Sequence, residues 1–247
     1  LAHGLIAVEH FIVHPARGGL DTVQSPTHLP SDALQIATNV EYGNDGSRRK
    51  RGGTTQLNSS ALTESGSAIT FTRLADYWRH GASLSPTQKL VATAGTQIWK
   101  MDDGDGVWDS LLTSWGSNAA STSITIAEGF AVFSNNLNEA PQTWDQTTLA
   151  ALGGTPPNFS FSRYHLRRLW YAGIPANPST VNATAAGNIA THSGADYLTF
   201  VIDEDDGDRV IGLSEPWRRR IFVFKGPNKG SIHELAGLTA STITRDK

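Results

Sequence analysis

Hydrophobic and polar residues alternate along this chain in short runs, and four of those runs repeat. Lys89-Leu-Val-Ala-Thr-Ala-Gly-Thr-Gln-Ile-Trp-Lys100, Gly129-Phe-Ala-Val-Phe-Ser-Asn-Asn136, Arg168-Leu-Trp-Tyr-Ala-Gly173 and Arg220-Ile-Phe-Val-Phe-Lys-Gly226 each carry an apolar strand into a turn. Leu90, Phe130, Leu169 and Ile221 mark their phase at spacings of 40, 39 and 52 residues. A small-residue insertion over Pro175–Gly194 accounts for the longest spacing. Each unit is expected to close on an outer strand: Ile98-Trp-Lys-Met101, Thr143-Trp-Asp145, Tyr197-Leu-Thr-Phe-Val-Ile202 and Ser231-Ile-His-Glu-Leu235. Upstream, Leu34, Ile36, Thr38, Val40 and Tyr42 alternate with Gln35, Ala37, Asn39 and Glu41, as in a half-buried strand. Gly43-Asn-Asp-Gly46 then supplies residues that tolerate positive φ, so Ser47–Thr55 should return as its hairpin partner. Leu5–Val13 reads as a buried or edge strand.

Two spacings near 40 suit a four-stranded propeller blade of roughly 40–45 residues. The fold class expected is therefore all-β: a β-propeller-like repeat of short antiparallel strands behind an N-terminal extension and β-hairpin. Residues 1–60 form the extension and 61–247 the propeller-like domain of about four units, incomplete at the C-terminus. A β-sandwich with coincidental spacing is the plainer alternative.

Composition narrows this picture. The 247 residues include 24 Gly and 11 Pro but only 17% charged residues, which favours turns over long solvated helices. There is no Cys, which removes disulfides, thiolate nucleophiles and cysteine zinc sites. A net charge of −3 gives no general attraction to nucleic acid or membrane. No segment reads as a bilayer span or a signal peptide.

Arg48-Arg49-Lys50-Arg51 is the densest charge run. In a hairpin strand its alternate side chains face opposite sides, which favours a subunit interface over a nucleic-acid patch. Arg218-Arg219-Arg220, beside Trp217, repeats the theme as a solvated lead-in to a strand. The acidic runs Asp102–Gly106 and Asp203-Glu-Asp-Asp-Gly-Asp208 offer oxygens to calcium, without EF-hand spacing. No nucleophile elbow, zincin helix or dinucleotide fingerprint occurs, so neither a catalytic residue nor a cofactor is expected. Trp78, Trp99, Trp144 and Trp170 fall in or near expected strands, where they pack between blades or, in a sharper reading, form a carbohydrate platform.

Two regions resemble a known family. Gly18-Gly-Leu-Asp21 through Lys50-Arg-Gly-Gly53 is similar to the N-terminal segment of phage tail nozzle, or tail tubular, proteins of short-tailed phages, with Gly where that pattern has Pro after the basic pair. Arg163-Tyr-His-Leu-Arg-Arg-Leu-Trp-Tyr-Ala-Gly173, Asp196-Tyr-Leu-Thr-Phe200, Asp208-Arg-Val-Ile-Gly-Leu213 and Ile221-Phe-Val-Phe-Lys225 resemble a later stretch of the same family. The resemblance implies a non-enzymatic, propeller-bearing virion subunit in the tail, assembled in the host cytoplasm. It implies a hexameric homo-oligomeric ring below portal and adaptor, supporting tail fibres and passing DNA through its lumen, with no membrane partner. The same residues leave open a phage neck, stopper or capsid-decorating protein. A glycan-binding or glycan-cleaving propeller is the competing function.

Overall fold

The computed structural model describes residues 61–80, 86–102, 106–115, 122–135 and 139–236, with the backbone of short strands at 19–20, 33–34, 40–42, 48–50 and 244–246. The chain divides into two compact units, Leu1–Gln56 and Leu57–Lys247. In the first, β1 (Gly19–Leu20) pairs in parallel with β2 (Ala33–Leu34). Strand β3 (Val40–Tyr42) pairs antiparallel with β4 (Arg48–Lys50), with Glu41 opposite Arg49. The expected hairpin pairing is thus present between β3 and β4, while its turn, Gly43–Gly46, lies outside the described residues. Of the strand expected over 34–42, Leu34 belongs to β2 and Val40–Tyr42 form β3, and residues 35–39 lie outside the described residues. The expected strand over Leu5–Val13 lies outside the described residues.

The second unit is all-β and propeller-like. After the small hairpin β5 (Thr63–Glu64) and β6 (Ser67–Ala68) come four four-stranded antiparallel sheets. The first holds β7 (Phe71–His80), β8 (Pro86–Ala94), β9 (Gln97–Asp102) and β10 (Trp108–Leu112). The second holds β11 (Ser123–Ala127), β12 (Phe130–Ser134), β13 (Gln142–Trp144) and β14 (Leu149–Ala151). The third holds β15 (Phe161–His165), β16 (Arg168–Ile174), β17 (Asn177–Ala183) and β18 (Leu198–Val201). The fourth holds β19 (Arg209–Leu213), β20 (Arg220–Gly226), β21 (Ser231–Ala236) and β22 (Thr244–Asp246). Within each sheet every strand pairs with its neighbour in sequence. Among the described residues no helix is long and apolar enough to cross a membrane.

The repeat read from the sequence is in phase, because Leu90, Phe130, Leu169 and Ile221 all lie on the second strand of their sheets. The second strands of the second and third sheets are sandwiched between neighbouring sheets, so they carry near-continuous apolar runs, such as the buried Ala131–Ser134 of β12. The expected outer strands need correction. Ile98–Met101, Thr143–Trp144 and Ser231–Leu235 are third strands, and only Leu198–Val201 is outermost. The expected insertion Pro175–Gly194 also contains a strand, β17. Its sequence Asn-Pro-Ser-Thr-Val-Asn-Ala lacks bulky side chains because small residues fit that crowded central position, where Ser179 and Val181–Ala183 are buried. The true long connection is 184–197.

The core is divided between sheets. Tyr77, Val91 and Ile98 meet Phe133 and Trp144 between the first and second sheets. Val132 and Phe159 meet Leu169 and Tyr171 between the second and third. Trp170 and Val181 meet Val210, Ile221 and Leu235 between the third and fourth. The outer face of the first sheet, Ala92, Ala94 and Trp99, is covered by Leu62 and Ile69 from the segment preceding β7. Glu64 fastens this cover by accepting hydrogen bonds from the Thr96 amide and hydroxyl.

Candidate functional site

First strands lie side by side, β7 against β11, β11 against β15 and β15 against β19. Along them run two recesses, of about 430 Å³ and 480 Å³, which share Ser160 and Phe161. Leu74, Ile124, Phe161 and Ile211 supply apolar surface, and Arg73, Arg163 and Arg209 supply cationic groups. Arg73 Nε donates to the Thr122 carbonyl at 3.1 Å, bridging the first and second sheets. Arg163 Nε sits 2.9 Å from Glu215 Oε1, bridging the third and fourth. A half-apolar floor with tethered arginines suits contact with protein side chains or carboxylates.

The arginines singled out by sequence occupy different settings. Arg48, Arg49 and Lys50 form β4, and Arg51 lies outside the described residues. Arg218 and Arg219 are exposed and lead into β20, where they form the centre of a tight turn. Trp217 and Arg220 exchange backbone hydrogen bonds of 2.9 Å around them, and their φ angles are +46° and +67°. That is a two-residue type I′ turn without Gly or Asn. The Arg218 guanidinium lies 4.7 Å from the centroid of the Trp217 ring, and Arg220 pairs with Glu234 at 3.0 Å.

The acidic run Asp203–Asp208 is organised around an internal cation. Lys225 from β20 is buried, and its Nζ donates to the carbonyls of Ile202 and Asp203, each at 2.6 Å, and to Asp206 Oδ1 at 2.7 Å. The ammonium takes the position that a calcium reading would give to a metal. Its hydrogen bond holds the Asp206 carboxyl below the usual range. Asp208 is likewise depressed, chiefly by the Asn228 amide, and also accepts from the Lys229 and Gly230 amides at 2.9 Å. It therefore holds the β20–β21 turn. In the other acidic run, Asp102 pairs with Lys89 at 2.7 Å, and residues 103–105 lie outside the described set. Among the described residues no group of three His, Asp or Glu side chains could hold a metal.

Ser231, His233 and Asp203 meet in this region in a way sequence did not reveal. Ser231 Oγ is 2.8 Å and Asp203 Oδ2 3.7 Å from the same ring nitrogen, His233 Nε2. A nucleophilic triad requires the carboxylate on the opposite nitrogen, so this is not triad geometry. A second unforeseen cluster joins the Tyr171 hydroxyl to His192 Nδ1 and to the Tyr197 hydroxyl, each at 3.1 Å. Burial pushes the Tyr171 phenol well up and the His192 imidazole down. His192 and Tyr197 come from the 184–197 connection, where no periodicity pointed to them.

The tryptophans divide by exposure. Trp99, Trp144 and Trp170 are buried in the core, which removes Trp144 and Trp170 from any carbohydrate platform, while Trp78 and Trp217 are half exposed.

No family model and no curated protein matches the chain. Among solved structures the fold is similar to one described as "YCF48 bound to D1 peptide". The two are 12% identical over 76% of this chain and 70% of that chain, with a TM-score of 0.44.

Proposed function

We propose that this chain is a non-enzymatic structural subunit of a bacteriophage tail, of the nozzle type, working through protein–protein contact. The observation that carries the reading is the order of parts. A separate N-terminal unit with a basic hairpin precedes four consecutive sheets whose second strands hold the phase of the repeat. This is the order in which the residues resembling the nozzle family occur. The tethered arginines on the first strands also suit a binding surface. In this role the subunit forms a homo-oligomeric ring through heterologous lateral contacts that close on themselves. Adaptor and fibre proteins dock on it, and DNA passes through its lumen.

Mass spectrometry of purified virions and negative-stain imaging of the recombinant protein test the reading. A strictly monomeric protein, missing from the particle, would sink it. The double charge reversal Arg49→Glu, Arg51→Glu is expected to abolish rings while leaving the circular-dichroism spectrum and melting curve unchanged. An intact ring in that variant would shift the basic hairpin to a DNA-contact role.

A further inference from the structure

Among the described residues of the second unit, four two-residue turns between strands have central residues that both have positive φ. Ser65-Gly66, at +50° and +80°, and Glu128-Gly129, at +48° and +78°, place Gly second, as type I′ geometry prefers. Leu166-Arg167, at +51° and +59°, and Arg218-Arg219, at +46° and +67°, have no Gly at all. A side chain in the left-handed region crowds its own carbonyl, so both turns hold this strain at two adjacent positions, where the Ser65-Gly66 and Glu128-Gly129 turns hold it at one. The arginines of the two turns gain no burial in return. Arg167, Arg218 and Arg219 are exposed, and the Arg167 side chain is 76% accessible. Strain kept at an exposed position without a packing benefit points to a role for the side chains themselves.

The two turns form one surface. They link first to second strands in adjacent sheets, so they lie at the same end of the unit. The Arg163–Glu215 ion pair of 2.9 Å joins the segments that lead into them. Trp217, 54% exposed, lies beside them with Arg218 stacked on its ring. Exposed Trp and Arg on rigid turns is the composition of an interface hot spot.

We infer that Leu166-Arg167 and Trp217-Arg218-Arg219 form a docking surface for an acidic segment of a partner protein. Among the described residues, only Arg167 of its three exposed arginines has a carboxylate near it, Glu128 at 4.0 Å. Carboxylates on a partner would complete these guanidinium forks. A polyphosphate strand fits less well, because Arg218 already covers a face of Trp217 on which a base would stack, and Glu215 lies within the surface. The inference rests on the proposed function only in taking a protein as partner. A virion lacking this chain would sink that reading and leave this surface standing.

The test uses a fluorescent oligoglutamate peptide at low salt, with the full chain. Arg218→Asn, Arg219→Gly should raise the melting temperature by relieving the turn and weaken peptide binding by about tenfold or more. Arg218→Gln, Arg219→Gln, which keeps the strain, should weaken binding equally without the gain in melting temperature. Lys229→Glu makes the same two-unit charge change elsewhere and should bind as the parent does. Unchanged binding in either turn variant, or equal loss in the Lys229 control, would overturn the assignment. So would tighter binding of a short DNA duplex than of the peptide.

Discussion

Lys225 has three acceptors for its three protons, with no water needed to complete the set. Lys225→Met keeps the aliphatic bulk but strands two carbonyls and the Asp206 carboxylate, at a cost of about 2–4 kcal/mol. Urea unfolding would measure it, and an unchanged midpoint would show that water replaces the ammonium. Two half-buried histidines act through pH. Burial, the main cause in both, lowers the pKa of His165 and His192 below their ordinary 6.5, so the fold favours neutral rings while the unfolded chain takes up protons. Their contribution is fully present above about pH 6.5 and is lost as the pH falls through and below that value. The depressed carboxylates Asp206 and Asp208 add their own loss only below about pH 4. Denaturant midpoints measured from about pH 7.5 to about pH 5 should fall, and His165→Gln, His192→Gln should flatten that slope.

Second strands carry the densest burial, from Ala131–Ser134 in β12 to Arg168–Ala172 in β16, while β14 and β18 are half exposed. Hydrogen exchange should therefore be slowest in β12 and β16 and faster in β14 and β18. Equal protection across each sheet would contradict this ordering. The same contrast explains what could be read from the chain. Doubly covered strands need long apolar runs, so Phe130–Phe133 and Leu169–Ala172 stood out and helped set the phase. A strand of small residues such as β17 has no such signature, and its Pro178 reads as a breaker. The first strands escaped notice for a related reason, since β15 reads Phe-Ser-Arg-Tyr-His and mixes polar residues with packed ones. At the candidate surface, Arg218–Arg220 was visible as a charge run. Its turn was not, because the two central residues lack the Gly or Asn that announces one. Leu166-Arg167 became its partner only through the register of adjacent sheets.

The whole second unit is a succession of interfaces between neighbouring sheets rather than a single core, so damage should stay local. Trp144→Ala empties a site in the cluster between the first and second sheets and should cost about 3–5 kcal/mol. Exchange in the first two sheets should rise more than in the third and fourth, and a uniform rise would mean that the unit unfolds as one. The two outer faces differ. The first sheet is covered by Leu62 and Ile69, whereas Ile211 and Ile232 of the fourth are 45% and 56% exposed. Pairing every strand of these sheets with its neighbour in sequence has a consequence for synthesis. Each sheet has low contact order, so it can close as soon as its fourth strand leaves the ribosome, and the next then assembles on a finished surface. The unit can grow from its covered first sheet outward, with little unpaired strand edge waiting on distant sequence.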